Sequence, residues 1–140
     1  MKRTMLLVSV VALMSGLGSC KGQEKKEGTP QAINSQTVSV YYFHFTQRCA
    51  TCMAVEENAR NAVEELYPDG YKAGSFTFSS LNLDEARTKE IANELGVGGQ
   101  ALLVVHGDKK ADVTGPAWLA ARDPEKMKAE IKSGIDKVMP

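Results

Sequence analysis

Thr37-Val-Ser-Val-Tyr-Tyr-Phe-His-Phe-Thr-Gln-Arg-Cys-Ala-Thr-Cys52, continued by Met53 to Leu66, decides the fold of this chain. Apolar residues at both parities of 37–45 predict a strand covered on both faces, central in its sheet. Thr46-Gln47-Arg48 is a short turn. From Ala50 to Tyr67 the residues Val55, Ala59, Ala62, Val63 and Leu66 recur at spacings of three and four, one face of a helix. Cys49 and Cys52 therefore fall where a strand hands over to a helix. Two thiols separated by two residues at such a junction form a redox or soft-metal dithiol.

Working outward, Pro68-Asp69-Gly70 is expected to end the helix. Residues 74–83 alternate as a second strand: Phe76 and Phe78, then Leu81 and Leu83 after a one-residue shift that suits a bulge or the strand end. Asp84 is expected to cap a helix over 85–95, stopped by Gly96. Gly96 to Gln100 is a loop. Ala101 to Val105 is a buried strand. His106-Gly107-Asp108-Lys109 is a turn in which Gly107 or Asp108 takes positive φ. Lys110 to Thr114 completes a hairpin, and Gly115 to Arg122 is a loop carrying Trp118. Asp123-Pro124-Glu125 starts a last helix, lined by Met127, Ile131, Ile135 and Val138. The expected class is α/β, order βαβαββα, a mixed four-stranded sheet with helices on both faces.

Before the domain, Lys2 and Arg3 precede an apolar run from Met5 to Met14 and then Leu17-Gly18-Ser19-Cys20. This is a secretory signal, too short to span a membrane. The Leu-Gly-Ser-Cys run resembles a bacterial lipobox, which implies cleavage before Cys20 and acylation of its thiol. Residues 1–19 are thus expected to be a lipoprotein signal peptide. Residues 20–36, polar and with little to bury, are expected to be a lipid-anchored disordered tether. Lys21 in place of Asp resembles lipoproteins released to the outer membrane. The expected location is the bacterial cell envelope, facing the periplasm, with 37–140 as the folded domain.

The chain has 17 basic and 17 acidic residues. Losing Lys2 and Arg3 leaves 15 basic against 17 acidic, a net of about −2. There is no basic stripe, so nucleic acid is excluded as a partner class.

The element order with Cys-x-x-Cys after the first strand resembles the thioredoxin fold in its minimal form, over residues 37 to 139. Phe76-Thr-Phe-Ser-Ser-Leu-Asn-Leu-Asp-Glu85 and Glu94-Leu-Gly-Val97 are similar to the second strand and the approach to the third strand of thioredoxins. Tyr42-Phe-His-Phe-x-x-Arg-Cys-x-x-Cys52 resembles exported thioredoxin-like proteins of the ArsF-type family. Those are described as subunits of a nitrophenyl-compound nitroreductase, in operons handling aromatic arsenicals. The resemblance implies thiol–disulfide exchange, possible as oxidant or reductant. Cys49 would be the nucleophile, favoured as thiolate by the helix N-terminus and by Arg48, and Cys52 the resolving thiol. No cofactor beyond the redox-active Cys49–Cys52 disulfide is implied.

The chain departs from thioredoxins at four places. Arg48 stands where an aromatic residue precedes the first cysteine, and Ala50-Thr51 lacks proline. Gly99, Gln100 or Ala101 occupies the place of the cis-proline. Tyr42, Phe43 and His44 surround the place of a buried acid. Gln100 and Trp118 are candidate substrate-side residues, Trp118 being otherwise a packing anchor. These departures point to a dedicated thiol or disulfide protein partner rather than a broad substrate range. Two alternatives stay open: a non-catalytic soft-metal or metalloid module on Cys49 and Cys52, and an inert disulfide staple. His44 and His106 are the only histidines to add to a metal set, and neither is spaced as a partner. His44 reads as a core or rim histidine.

Overall fold

The structure is a computed structural model that describes residues 36–140. The expected signal peptide, Cys20 and most of the tether lie outside the described residues. The elements are β1 (Val38–His44), α1 (Ala50–Leu66), α2 (Pro68–Ala73), β2 (Phe76–Asn82), α3 (Ala86–Glu94), β3 (Ala101–His106), β4 (Lys109–Asp112), α4 (Thr114–Leu119) and α5 (Pro124–Val138). They contain the seven expected elements in the expected order, with two short helices added.

The sheet runs β2-β1-β3-β4. β1 pairs parallel to β2 and antiparallel to β3, and β3 pairs antiparallel to β4. All seven residues of β1 are buried, as its two-sided apolar pattern requires. One face carries Val38, Val40, Tyr42, Leu102 and Val104 under α1, α4 and α5. The other carries Tyr41, Phe43, Leu103 and Val105 beneath Ala92 and Leu95 at α3.

The parity shift in β2 is not a bulge. Its register against β1 is continuous from Phe76 opposite Val38 to Asn82 opposite His44. Phe76 and Phe78 pack with the first face and Leu81 with the second. The strand simply uses both of its faces in turn, because successive side chains point to opposite sides.

α1 ends at Leu66, just before Pro68-Asp69-Gly70 as expected, while Pro68 also opens a further helix, α2, after a one-residue break at Tyr67; three other local expectations are corrected. Proline at a first helical position has no N–H to lose, and Asp69 follows in the first turn. Asp84 does not cap α3; Glu85 holds that position with no side-chain cap bond. The Asp84 carboxylate accepts instead from Thr46 N at 2.8 Å. β4 ends at Asp112 rather than Thr114, and Gly107 takes the positive φ of the hairpin turn, +60°. The expected loop 115–122 contains α4, whose Ala117 is buried, with Ala120 and Ala121 buried just after it. Such small residues let a short helix lie close to its neighbours, and six residues are too few to show a helical period.

α5 follows expectation. Asp123 caps it by accepting from Lys126 N at 3.1 Å, and Met127, Ile131, Ile135 and Val138 are buried. Gly134 is buried with them. A Cβ there would meet Val113 Cγ1 at 2.8 Å and Val104 Cγ2 at 2.9 Å, so α5 crosses the sheet at a distance only glycine allows.

Candidate dithiol site

Cys49 is the N-cap of α1, with extended backbone, and its sulfur accepts from Cys52 N at 3.2 Å. Sulfur here takes the part usually played by a serine or aspartate oxygen, satisfying one of the unpaired N–H groups of a helix start. The two cysteines are joined in a disulfide with Cα atoms 5.1 Å apart, inside the range such a bond needs. The pair is asymmetric. Cys49 is exposed, whereas Cys52 is 4% exposed. One helical turn thus presents one sulfur to solvent and keeps the other inside.

The β1–α1 loop is tied to the end of β2. Thr46 N donates to Asp84 Oδ2, Asn82 Nδ2 donates to Thr46 Oγ1 at 3.0 Å, and Leu83 N donates to His44 O at 2.7 Å. The Thr46 bonds are the main cause holding the Asp84 carboxyl below the usual carboxylate range. Beneath the dithiol lies Tyr42. Its ring is buried, and its hydroxyl donates to Cys52 O at 2.9 Å. Burial pushes its phenol pKa up, against a smaller opposing effect of Arg48. His44 stacks on Tyr42 at 5.6 Å between ring centroids, and Trp118 at 6.0 Å. His44 Nδ1–H donates to Phe45 O at 2.8 Å, consistent with its reading as a core histidine.

Arg48 precedes Cys49 in the chain, but its side chain turns toward α1. Its guanidinium forms an ion pair with Glu56, and its Cζ lies 5.5 Å from the Tyr42 ring centroid. Glu56 also takes Arg60 at 3.0 Å. A carboxylate therefore balances the charge that the sequence places beside the thiol.

Gln100 stands just before β3, half-buried, with Oε1 3.9 Å from Cys52 Sγ. Gln100 also lines a cavity of about 240 Å³, with Val97, Gly99, Leu103, Lys110 and Thr114 among its other walls; neither cysteine lines it. Among the described residues no group of three or more His, Cys, Asp or Glu is placed to hold a metal ion. Reduction would supply Cys49 and Cys52 as two soft donors, short of the four that close a zinc site.

The structure thus gathers Arg48, Cys49, Cys52 and Gln100 at one end of the sheet, and brings Trp118 to them through Tyr42. Tyr42, singled out only as one of three residues around the place of a buried acid, and Glu56, with no sequence signal, also belong to the site. One reads as a core strand residue and the other as part of a solvated helix face.

No protein-family model matches the sequence, and no curated protein matches it. Among solved structures, thioredoxin O2 from Arabidopsis thaliana in its oxidised state is similar, at 20% identity over 70% of this chain and 75% of that one, with a TM-score of 0.50. A structure described as a malarial protein is similar at 17% identity over 71% and 98%, with a TM-score of 0.47. With the four-stranded mixed sheet and its helices on both faces, the first likeness establishes a minimal thioredoxin-like fold.

Proposed function

We propose that this protein is a thiol–disulfide oxidoreductase, or an electron-passing redox subunit, working through Cys49 and Cys52. The observation that carries the reading is the asymmetry of the pair: an exposed sulfur at a helix N-cap joined to a buried one a turn later. In the reduced form the Cys49 thiolate attacks a partner disulfide, R–S–S–R′. The bond Cys49–S–S–R forms and R′–S⁻ leaves. Cys52 then gives its proton to water and attacks Cys49 Sγ, closing the Cys49–Cys52 disulfide and releasing R–S⁻. Two electrons pass from the dithiol to the partner. Every step is reversible, so the same site serves either direction.

The partner is a dedicated protein carrying a thiol or disulfide. Support comes from the missing proline opposite the dithiol, where Gln100 stands just before β3. The protein is held at the outer membrane, facing the periplasm, by lipid on Cys20; the basic n-region, apolar run and Leu-Gly-Ser-Cys motif support this. The likeness of Tyr42 to Cys52 to the ArsF-type family supports a link to nitroaromatic or arsenical detoxification.

The test is exchange with a fluorescent disulfide peptide. Cys49→Ser should abolish it, and Cys52→Ser should stall as a mixed disulfide visible by mass. Undiminished exchange in Cys49→Ser would refute the reading. Cys20→Ser should move the protein from membrane to soluble fractions.

A further inference from the structure

The N–H of Cys52 donates to Cys49 Sγ and its carbonyl accepts from Tyr42, so its backbone is fully engaged at the helix start. Its sulfur is buried, and the polar side-chain atom set against it is Gln100 Oε1 at 3.9 Å. A thiol is a weak donor that tolerates burial, but one with a carbonyl oxygen in reach is favoured by bonding to it. The chain that follows Gln100 is well held. Ala101 beside it pairs with Phe43 of β1. Leu102, next along, donates to Thr114 Oγ1 at 2.9 Å and accepts from Val113 N at 3.0 Å.

The contact is not equivalent in the two redox states. An amide oxygen accepts but does not donate. In the disulfide, Cys52 sulfur bears no hydrogen, so nothing passes between the two atoms beyond packing. In the dithiol, and in the mixed disulfide in which Cys49 is bound to a partner, Cys52 carries an S–H that can donate to that oxygen. An interaction present only in the reduced forms shifts the redox equilibrium toward them.

We infer that Gln100 is a positioning residue that accepts the S–H of Cys52, so favouring the reduced dithiol and keeping the resolving thiol aimed at Cys49. This rests on the oxidoreductase reading of the pair. The balance of the reaction is unchanged: the two electrons still reside in the dithiol, and the Cys52 proton still leaves to water when that sulfur attacks. Gln100 holds the proton's hydrogen bond before it leaves and takes no part in the bonds made or broken.

The experiment compares the parent with Gln100→Leu and Gln100→Glu, each equilibrated in graded glutathione buffers and read by alkylation and mass. Leucine removes the acceptor at similar size; glutamate keeps one. Gln100→Leu should lower the equilibrium constant for reduction three- to tenfold, which is about 15 to 30 mV more reducing. Gln100→Glu should stay within twofold of the parent or exceed it. Thermal unfolding of each form gives a second reading. Gln100→Leu should leave the melting temperature of the oxidised form unchanged and lower that of the reduced form. A Gln100→Leu couple within twofold of the parent, or equal losses of stability in both forms, would overturn the inference. Either result leaves the oxidoreductase reading standing, since that fails only with Cys49→Ser.

Discussion

The hydroxyl of Tyr42, at the centre of the sheet, donates to the carbonyl oxygen of Cys52 at 2.9 Å. The most buried strand is thereby bonded directly to the first turn of the helix that carries the dithiol. Tyr42→Phe keeps the ring and its stacking and removes only this bond. The expected loss is about 0.5–1.5 kcal/mol of stability, read by urea unfolding. The parent should also lose stability more steeply in alkali than Tyr42→Phe. Because the folded phenol is raised above its ordinary 10.0, its contribution is complete below pH 10.0 and is lost as pH climbs through the raised value.

Arg48 and Glu56 make opposite predictions for the reactivity of Cys49. Their ion pair leaves little net charge beside the sulfur. Glu56→Gln frees the guanidinium, which favours the thiolate. Arg48→Gln withdraws it and leaves Glu56 with Arg60 alone. In the reduced protein, alkylation of Cys49 at neutral pH should be faster than the parent in Glu56→Gln and slower in Arg48→Gln. Equal rates in all three proteins would show that Arg48 does not bear on the thiolate.

Asp84 links the loop before Cys49 to the turn after β2. Its carboxyl is depressed below the ordinary 3.8, chiefly by the Thr46 bonds. A depressed acid contributes stability that is complete above its unfolded value and is lost as pH falls through the folded one. The parent should therefore loosen at this loop as pH drops below 3.8. Asp84→Asn should show less of that dependence between pH 4 and 2, roughly the range in which carboxylates titrate. Amide exchange at Thr46 across this range checks it.

Gly134 sets how closely α5 approaches the sheet. Alanine at that position gains about 1 kcal/mol of helix propensity. Against this, its Cβ falls 2.8 and 2.9 Å from two valine methyl carbons, and overpacking of this kind costs about 1–3 kcal/mol. The clash should win, and Gly134→Ala should melt several degrees lower, since about 1 kcal/mol shifts a domain of this size by roughly 4–8 °C. Gly98→Ala, where a Cβ meets nothing within 4 Å, is the control and should stay within about 0.5 kcal/mol.

Much of this fold follows from local pattern. The two-sided apolar run at 38–43, the three- and four-residue spacing after Cys52 and the Asp-Pro-Glu start at 123 each specify their element by short-range rules. The errors share a cause. α2 and α4 have six residues each, too few for periodicity to register; α4 is covered at Ala117, whereas α2 buries no residue and starts on its proline at the first helical position. The Phe76–Leu83 stretch looked shifted because β2 packs against different helices on its two sides.

The sequence by itself determined that two thiols stand at a strand–helix junction, in a chain whose element order closes into one α/β sheet. Spacing is a local property, and one helical turn suffices to bring Cys49 and Cys52 together. Tertiary structure decided the contacts around them. It set Glu56 against Arg48, placed Tyr42 under the helix start, and fixed Gln100, 48 residues away and already expected near the dithiol, with its oxygen 3.9 Å from Cys52 Sγ. Those contacts depend on how helices and strands stack across the sheet, and stacking is carried by no single stretch of the chain.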